Sequence, residues 1–326
     1  MFHDQSVIFI DAGFLLSAGS STVTGTSLRA ATRVDAEQLI SGIVSITRDN
    51  CNLDPLRIYW YDASRDGVLS DWHKKISLLD DVKVRLGRIG VNGQQKGVDL
   101  RLGLDLVEVA RNGSAKVAYL LSGDDDLAEA VEAAQDLGMK VVLLALEDKN
   151  RYLGIKSVAE HLAYKVDRII VLPQDLIHST FTPATRAVVP GAEAGTESEF
   201  QSTAQPAPSA PPGPMPGAGP GAAPVTPATL ASKKATFITV KEPEVDLPHL
   251  FAVAEEVAES LARNWYQTTP LSEVQSVLEE RPILPAEIDS TLLRDCAARI
   301  GESDTDLQPV RKHLRKCFWD TIDTLA

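Results

Sequence analysis

Aspartate residues occur at three places where a chemical site could form. Asp11 ends the first apolar run of the chain, and Asp124 and Asp126 follow the fourth such run, in the segment SGDDD. Asp99 lies at the start of a helical pattern that comes directly after a strand and a loop. Because ligands of open parallel sheets bind at the carboxyl ends of the strands, these four carboxylates are expected at one edge of a sheet. Asp125 is expected to face solvent.

Carboxylates gathered in this way predict a hard divalent cation. Like charges at one site repel one another, and a cation relieves that repulsion. Oxygen ligands without histidine or cysteine favour Mg²⁺ or Mn²⁺, which could activate water and stabilise the charge of a phosphodiester transition state. The alternative for each single aspartate is a helix cap or a turn. Ser122 is expected to cap a helix or to donate a hydrogen bond beside the carboxylates, where it is also a candidate substrate contact. It is not expected to be a nucleophile, since no histidine is near it in sequence.

The segment between residues 83 and 96 carries four basic residues and no acidic one, and it leads directly to Asp99. One interpretation is a glycine-loosened arm that binds phosphates beside the metal, with Lys96 and Arg88 as its contacts. The other is a solvated strand edge and loop. Lys96 is the stronger candidate because it precedes Asp99 by about one helical turn.

The first 180 residues alternate between strand-like and helix-like patterns. Continuous apolar runs predict strands buried on both faces, hence a largely parallel sheet. The runs are Val7–Asp11, Leu56–Tyr61, Val82–Leu86, Lys116–Leu121, Lys140–Leu146 and Arg168–Leu172. Helical patterns lie at Asp35–Thr47, Leu69–Asp80, Val98–Arg111, Asp124–Leu137 and Ser157–Tyr164. This alternation predicts an α/β fold, a Rossmann-like, three-layer arrangement around a parallel sheet.

Composition divides the chain into three predicted parts. Residues 206–227 include nine prolines among mostly alanine and glycine, a composition that cannot bury enough apolar surface to fold. A disordered linker is therefore expected over 181–245, between an α/β domain at 1–180 and a small helical domain at 246–326. The segment Ser17–Arg33, rich in serine, threonine and glycine, is expected to be a mobile loop that gates the site.

Charge and cysteine content narrow the function classes. With 32 basic and 45 acidic residues, the net charge of −13 argues against a protein that coats nucleic acid through bulk positive charge. The three cysteines lack a CxxC or a recognised cysteine–histidine spacing, which argues against a zinc site and for reduced thiols. No signal peptide or membrane-spanning segment is found, so a cytoplasmic protein is expected.

Three segments together resemble a known family. FIDAGFL at 9–15, QKGVDLRLGLDL at 95–106 and SGDDDLAEAV at 122–131 resemble the NYN domain family of PIN-like ribonucleases, over roughly residues 5–175. The resemblance implies metal-dependent RNA cleavage by Asp11, Asp99, Asp124 and Asp126. Asp105 matches a further acidic position of the family, although helical geometry turns it away from Asp99. Phe14 departs from the asparagine that the family often has there.

The leading hypothesis is thus a Mg²⁺- or Mn²⁺-dependent ribonuclease, a hydrolase acting on RNA phosphodiester bonds. The alternative is a non-catalytic scaffold that binds RNA or a protein. A protein partner is also expected for the C-terminal helices, whose last helix carries a basic patch at residues 311–316. Phosphatase and nucleotide-binding classes fit poorly, because the first strand is followed by neither a DxD nor a GxGxxG motif, and no GxxxxGK[ST] occurs.

Overall fold

The computed structural model describes residues 4–64, 67–89, 95–148, 151, 153–156, 158–184, 247–300 and 308–325. The strands are β1 Ser6–Asp11, β2 Thr32–Val34, β3 Pro55–Ser64, β4 Val82–Ile89, β5 Gln95–Lys96, β6 Val117–Leu121, β7 Lys140–Leu146, β8 Arg168–Leu172 and β9 Phe181–Pro183. The helices up to residue 180 are α1 Ala12–Thr24, α2 Ala36–Cys51, α3 Asp71–Ser77, α4 Val98–Arg111, α5 Ala128–Asp136, α6 Glu160–Lys165 and α7 Gln174–Thr180. Those that follow are α8 Leu247–Thr268, α9 Leu271–Glu279, α10 Ala286–Ile300 and α11 Gln308–Leu325.

Within the described residues, the main sheet has seven strands in the order β5-β4-β3-β1-β6-β7-β8. All neighbours pair in parallel except β5, which runs antiparallel to β4. The chain moves outwards from β1 through β3 and β4, then returns to place β6 on the other side of β1. The junction of β1 and β6 is therefore the point where strand order reverses, and ligands of doubly wound sheets bind there.

Successive residues of β1 enter opposite faces of the sheet, as the strand period of two requires. Val7 and Phe9 pack beneath α4, α5 and α6, whereas Ile8 and Ile10 pack beneath α1, α2 and α7. All four side chains are fully buried. The sheet is thus the middle of three layers, and the predicted α/β fold class is confirmed.

The C-terminal helices share a hydrophobic cluster with the segment that follows α1. Leu28 and Ala31 pack with apolar residues of α8, α9, α10 and α11. The buried Asp295 of α10 accepts hydrogen bonds from the Thr26 hydroxyl at 2.8 Å and from the Ser27 N–H at 3.0 Å. The described residues of 4–184 and 247–325 accordingly belong to one compact unit.

The expectation of a mobile loop at Ser17–Arg33 is wrong. Its first eight residues continue α1, and its last five form a 3₁₀ turn at Arg29–Ala31 and the start of β2. Small residues fit here because the helix packs tightly: a Cβ on Gly19 would lie 2.4 Å from the ring of Phe181. The hydroxyls of Thr22 and Thr24 donate to carbonyls one turn earlier, which satisfies them within the helix.

Phe181–Pro183 forms β9, which pairs antiparallel with β2 at the start of the segment expected to be a linker. Residues 185–245, which hold the remainder of that predicted linker apart from Ala184, lie outside the described residues. Among the helices that the structure describes, none is long and apolar enough to cross a membrane.

Candidate active site

Asp11 and Ser122 meet where strand order reverses. Asp11 is the last residue of β1 and caps α1, because one of its carboxylate oxygens accepts the Phe14 N–H at 3.1 Å. The other oxygen accepts the Ser122 hydroxyl from the end of β6, also at 3.1 Å. Both side chains are buried. Burial raises the pKa of Asp11 to about 6, and the nearby charge of Asp99 adds to that rise.

Asp99 reaches this edge from the first turn of α4. The chain turns sharply between β5 and α4 at Gly97, whose φ of 78° lies in the left-handed region that favours glycine. Asp99 is half-buried. Burial raises the pKa of its carboxyl group, and the charges of Asp124 and Asp126 raise it further. Electrostatic repulsion therefore links Asp99 both to Asp11 and to the aspartates that follow β6.

Asp124 and Asp126 lie on the solvent side of this group. Asp124 caps the 3₁₀ turn Asp125–Leu127 by accepting the Asp126 N–H at 3.2 Å, and its own N–H donates to Ser122 Oγ at 3.3 Å. Asp124 is half-buried and Asp126 is exposed. Asp125 is exposed as well, and it faces His161 at 3.4 Å instead of Asp99. The expectation that Asp125 points elsewhere is confirmed.

Among the described side chains, no lysine, arginine or histidine forms an ion pair with these four carboxylates. Within the same residues, no three of their ligand oxygens come within 4.8 Å of one another. The donor set is nonetheless oxygen only and open to solvent on one side, which fits Mg²⁺ or Mn²⁺ with water ligands.

Asp62, on β3 beside β1, shows a different arrangement that the sequence patterns did not reveal. Arg29 donates to both of its oxygens, at 2.9–3.2 Å, and His73 Nε2 lies 3.1 Å from one of them. Although burial alone would raise the pKa of Asp62, the His73 hydrogen bond and the Arg29 charge hold it below its ordinary value. These residues form a buried ion-pair cluster. The signal available in sequence was one aspartate inside an otherwise apolar strand.

Asp105 is not brought to the carboxylate group. It lies six residues after Asp99, about 9 Å farther along the axis of α4. The Tyr61 hydroxyl donates to it at 2.8 Å, and Arg85 Nε lies 3.3 Å from the same oxygen. Asp105 lines a separate cleft of about 230 Å³ together with residues from the start of β1 and β3. Its charge is balanced locally.

Arg88 and Lys96 lie opposite each other on the antiparallel pair β4–β5, at the end of the sheet that leads into α4. The Arg88 side chain is exposed, and that of Lys96 lies outside the described residues. The pairing joins the two basic residues to the element that carries Asp99. Phe14, the departure from the family pattern, supplies its backbone N–H to Asp11 while its ring packs against both hydrophobic layers.

The basic patch of α11 is partly neutralised. Arg311 and Arg315 both pair with Asp289 of α10. Together with Lys312, Lys316 and Trp319 they line a pocket of about 420 Å³.

The comparisons with known proteins place the chain in a family. The sequence model of the NYN domain matches residues 7–173. An uncharacterized protein of Sinorhizobium fredii is 46% identical over 71 residues, which are 22% of this chain and 33% of that relative's length. A solved structure of a Vibrio parahaemolyticus protein of unknown function is 14% identical, with a TM-score of 0.37 over 54% of this chain and 97% of that one. The domain match covers half of the sequence and includes Asp11, Asp99, Asp124 and Asp126, so the chain belongs to the NYN domain family, within the PIN-like nuclease superfamily.

Proposed function

We propose that the chain is a metal-dependent ribonuclease that hydrolyses RNA phosphodiester bonds at the carboxyl edge of its sheet. The observation that supports this most strongly is the group Asp11, Asp99, Asp124 and Asp126, which lies beside the β1–β6 junction without a described cationic partner. A buried carboxylate whose pKa is raised towards 6 is costly to keep ionised at neutral pH. Such a cost is expected where a cation is to be bound.

These four residues would hold Mg²⁺ or Mn²⁺, because their ligand atoms are all carboxylate oxygens. PIN-like nucleases usually use divalent metals. When bound, the ion lowers the pKa of a water molecule and stabilises negative charge on the phosphodiester. Asp11 and Asp99 would be the inner ligands because they are buried and half-buried. Asp124 and Asp126 lie nearer to solvent, on the side from which a nucleic acid must approach.

Ser122 has a positioning role in this proposal. Its hydroxyl donates to Asp11 and its oxygen accepts the Asp124 N–H, so one small side chain fixes two carboxylates on adjacent elements. Because a hydrogen bond to the ionised form favours ionisation, Ser122 also lowers the pKa of Asp11 and opposes part of the effect of burial. It therefore keeps Asp11 closer to the charged state that metal binding requires.

Arg88 and Lys96 would bind the phosphates of the RNA strand beside the metal. The pairing of Arg88 with Lys96 on β4–β5, directly before the turn into α4, supports this role. A local pair of cations is sufficient despite the net charge of −13, because exposed charges more than about 8 Å apart are largely screened at physiological salt. Contacts of this kind position the backbone and carry no sequence preference.

The decisive experiment follows an end-labelled structured RNA incubated with the purified protein in Mn²⁺ or Mg²⁺. Cleavage is expected with the metal, and it should be lost in EDTA and in Asp124→Asn, which keeps an oxygen for the cap. Asp125→Asn is the matched control, since it removes the neighbouring charge from a side chain that faces His161. Full activity in Asp124→Asn contradicts the proposal. A protein that binds RNA but never cuts it would instead be the non-catalytic scaffold.

A further inference from the structure

A second cluster of metal-ligand side chains lies far along the chain from the acidic edge, between α8 and α11. Glu255, His313 and Cys317 each offer one ligand atom, and the three atoms all lie within 4.8 Å of one another. His313 Nε2 is 3.3 Å from a Glu255 oxygen and 3.5 Å from Cys317 Sγ. Among the described residues, no other group of three histidine, cysteine or carboxylate ligands comes as close.

Helical geometry accounts for the cluster. His313 and Cys317 are four residues apart on α11, so they share one face of that helix. α8 is held against this helix by the apolar cluster of the C-terminal region, in which the rings of Trp265 and Phe318 are 5.8 Å apart. The ring of Phe251, one turn before Glu255, packs on His313 at 4.7 Å between centroids. The imidazole is therefore oriented by packing before any ion binds.

The donor set differs from that of the acidic edge. Imidazole nitrogen and cysteine sulfur together favour a borderline-soft ion, and Zn²⁺ takes both with tetrahedral geometry. Bond lengths of about 2.0–2.3 Å place tetrahedral ligands roughly 3.3–3.8 Å apart. The two distances measured from His313 fall in that range. The Glu255 side chain is 63% exposed, so it is free to rotate onto the ion, and solvent can supply a fourth ligand.

We propose that Glu255, His313 and Cys317 form a zinc site that ties α11 to α8. The sequence has no recognised cysteine–histidine ligand spacing, which argued against a zinc site. His313 and Cys317 are nevertheless four residues apart, and that interval places both side chains on one face only because the segment is helical. The third ligand comes from a helix 58 residues earlier in the chain, and no sequence spacing predicts that contact. This site is independent of the proposed ribonuclease chemistry and uses none of its residues.

Cobalt titration tests the site with a signal specific to sulfur ligation. Metal-free, full-length protein is titrated with Co²⁺, and a thiolate-to-cobalt charge-transfer absorption is expected to saturate at one equivalent and to disappear on addition of Zn²⁺. Cys317→Ser should abolish the band, and His313→Gln should weaken Co²⁺ binding at least tenfold. Cys51→Ser removes a thiol from α2 and should leave the titration unchanged.

Two further measurements separate the loss of a zinc ligand from loss of the fold and from metal binding at the acidic edge. Circular dichroism of metal-free Cys317→Ser should match that of the metal-free wild type, which separates loss of a ligand from loss of the fold. Asp124→Asn should retain the cobalt band, because the acidic edge contributes no ligand to it. Absence of the band in the wild type, or a band that survives in Cys317→Ser, overturns the proposal and leaves His313 and Glu255 as a surface ion pair.

Discussion

Asp11 and Asp62 lie on adjacent strands of one sheet and both are buried, yet their pKa values are shifted in opposite directions. Asp62 is met by Arg29 and His73, and its pKa is lowered. Burial raises the pKa of Asp11 to about 6 and the charge of Asp99 adds to that rise, while hydrogen bonds from the Phe14 N–H and the Ser122 hydroxyl offset only part of it. The difference separates a carboxylate that is paired with cations inside the fold from one that has no cationic partner among the described side chains.

The largest expected effect concerns cleavage. Asp11→Asn should lower the rate of Mn²⁺-dependent RNA cleavage at least ~1000-fold, about 4 kcal/mol of transition-state stabilisation, because metal ions contribute several kcal/mol there. Asp62→Asn, assayed well below its melting temperature, should cleave within about threefold of the wild type. Gel-resolved initial rates measure both variants. Equal losses of cleavage rate in the two variants would contradict the assignment of a catalytic role to Asp11 and a structural role to Asp62.

The second effect is on the free energy of unfolding, and here Asp62→Asn, rather than Asp11→Asn, is expected to cause the loss. Asp62→Asn should lower the free energy of unfolding by about 3 kcal/mol, because it leaves Arg29 and His73 without their carboxylate. The loss should stay below that of a fully enclosed pair, since the Arg29 side chain is 30% exposed. Asp54→Asn breaks a solvent-exposed pair with Arg48 and should cost less than about 1 kcal/mol. Urea unfolding in EDTA measures both variants.

The third effect is a gain of stability in Asp11→Asn. The asparagine keeps the cap of α1 and removes a charge that burial disfavours. An acid whose folded pKa is about 6 and whose ordinary value is 3.8 stabilises the fold at low pH, and that contribution is lost as pH rises through 6. In EDTA at pH 8, Asp11→Asn should therefore be more stable than the wild type by on the order of 2–3 kcal/mol. This difference in stability between the variant and the wild type should disappear towards pH 4. Thermal melts from pH 4 to pH 8 measure it. A difference that does not change with pH would mean that burial of the charge is not its cause.

The smallest effect belongs to Ser122. Ser122→Ala removes the donor to Asp11 and the acceptor of the Asp124 N–H. We expect about a tenfold rise in the Mn²⁺ concentration that gives half-maximal cleavage, with full activity regained at saturating Mn²⁺. A metal titration of the cleavage rate measures this shift. An unchanged midpoint would mean that Ser122 does not position the carboxylates.

Sequence patterns predicted the α/β class and the segments that form most of the main strands, because apolar runs depend on local residues. That Asp11, Asp99, Asp124 and Asp126 together hold a metal stays a prediction. The helical spacing of Val98, Leu102, Leu106 and Val109 predicts that they face the sheet; the first three are buried and Val109 is half-buried. Helical spacing is sufficient for such a prediction.

Contacts between residues far apart in the chain could not be predicted from sequence patterns. The Arg29–Asp62 pair joins residues 33 positions apart, and Asp295 reaches Thr26 across 269 positions. The Ser/Thr/Gly composition of α1 predicted a loop because its small residues have weak helix propensity. Packing of Gly19 against Phe181 outweighs that propensity, and no local pattern contains this contact.

Titration with Mn²⁺ asks whether the carboxylates of Asp11, Asp99, Asp124 and Asp126, which have no cationic partner among the described side chains, hold a cation. Free Mn²⁺ is followed by electron paramagnetic resonance during titration of the wild type, Asp99→Asn and Asp125→Asn. Asp125 adjoins Asp124 and Asp126 in the chain but faces His161, whereas Asp99 repels both Asp11 and Asp124. We predict that Asp99→Asn weakens Mn²⁺ binding at least tenfold and that Asp125→Asn leaves it unchanged. Wild-type affinity in Asp99→Asn, or no Mn²⁺ binding by the wild type, would contradict a metal site formed by these aspartates.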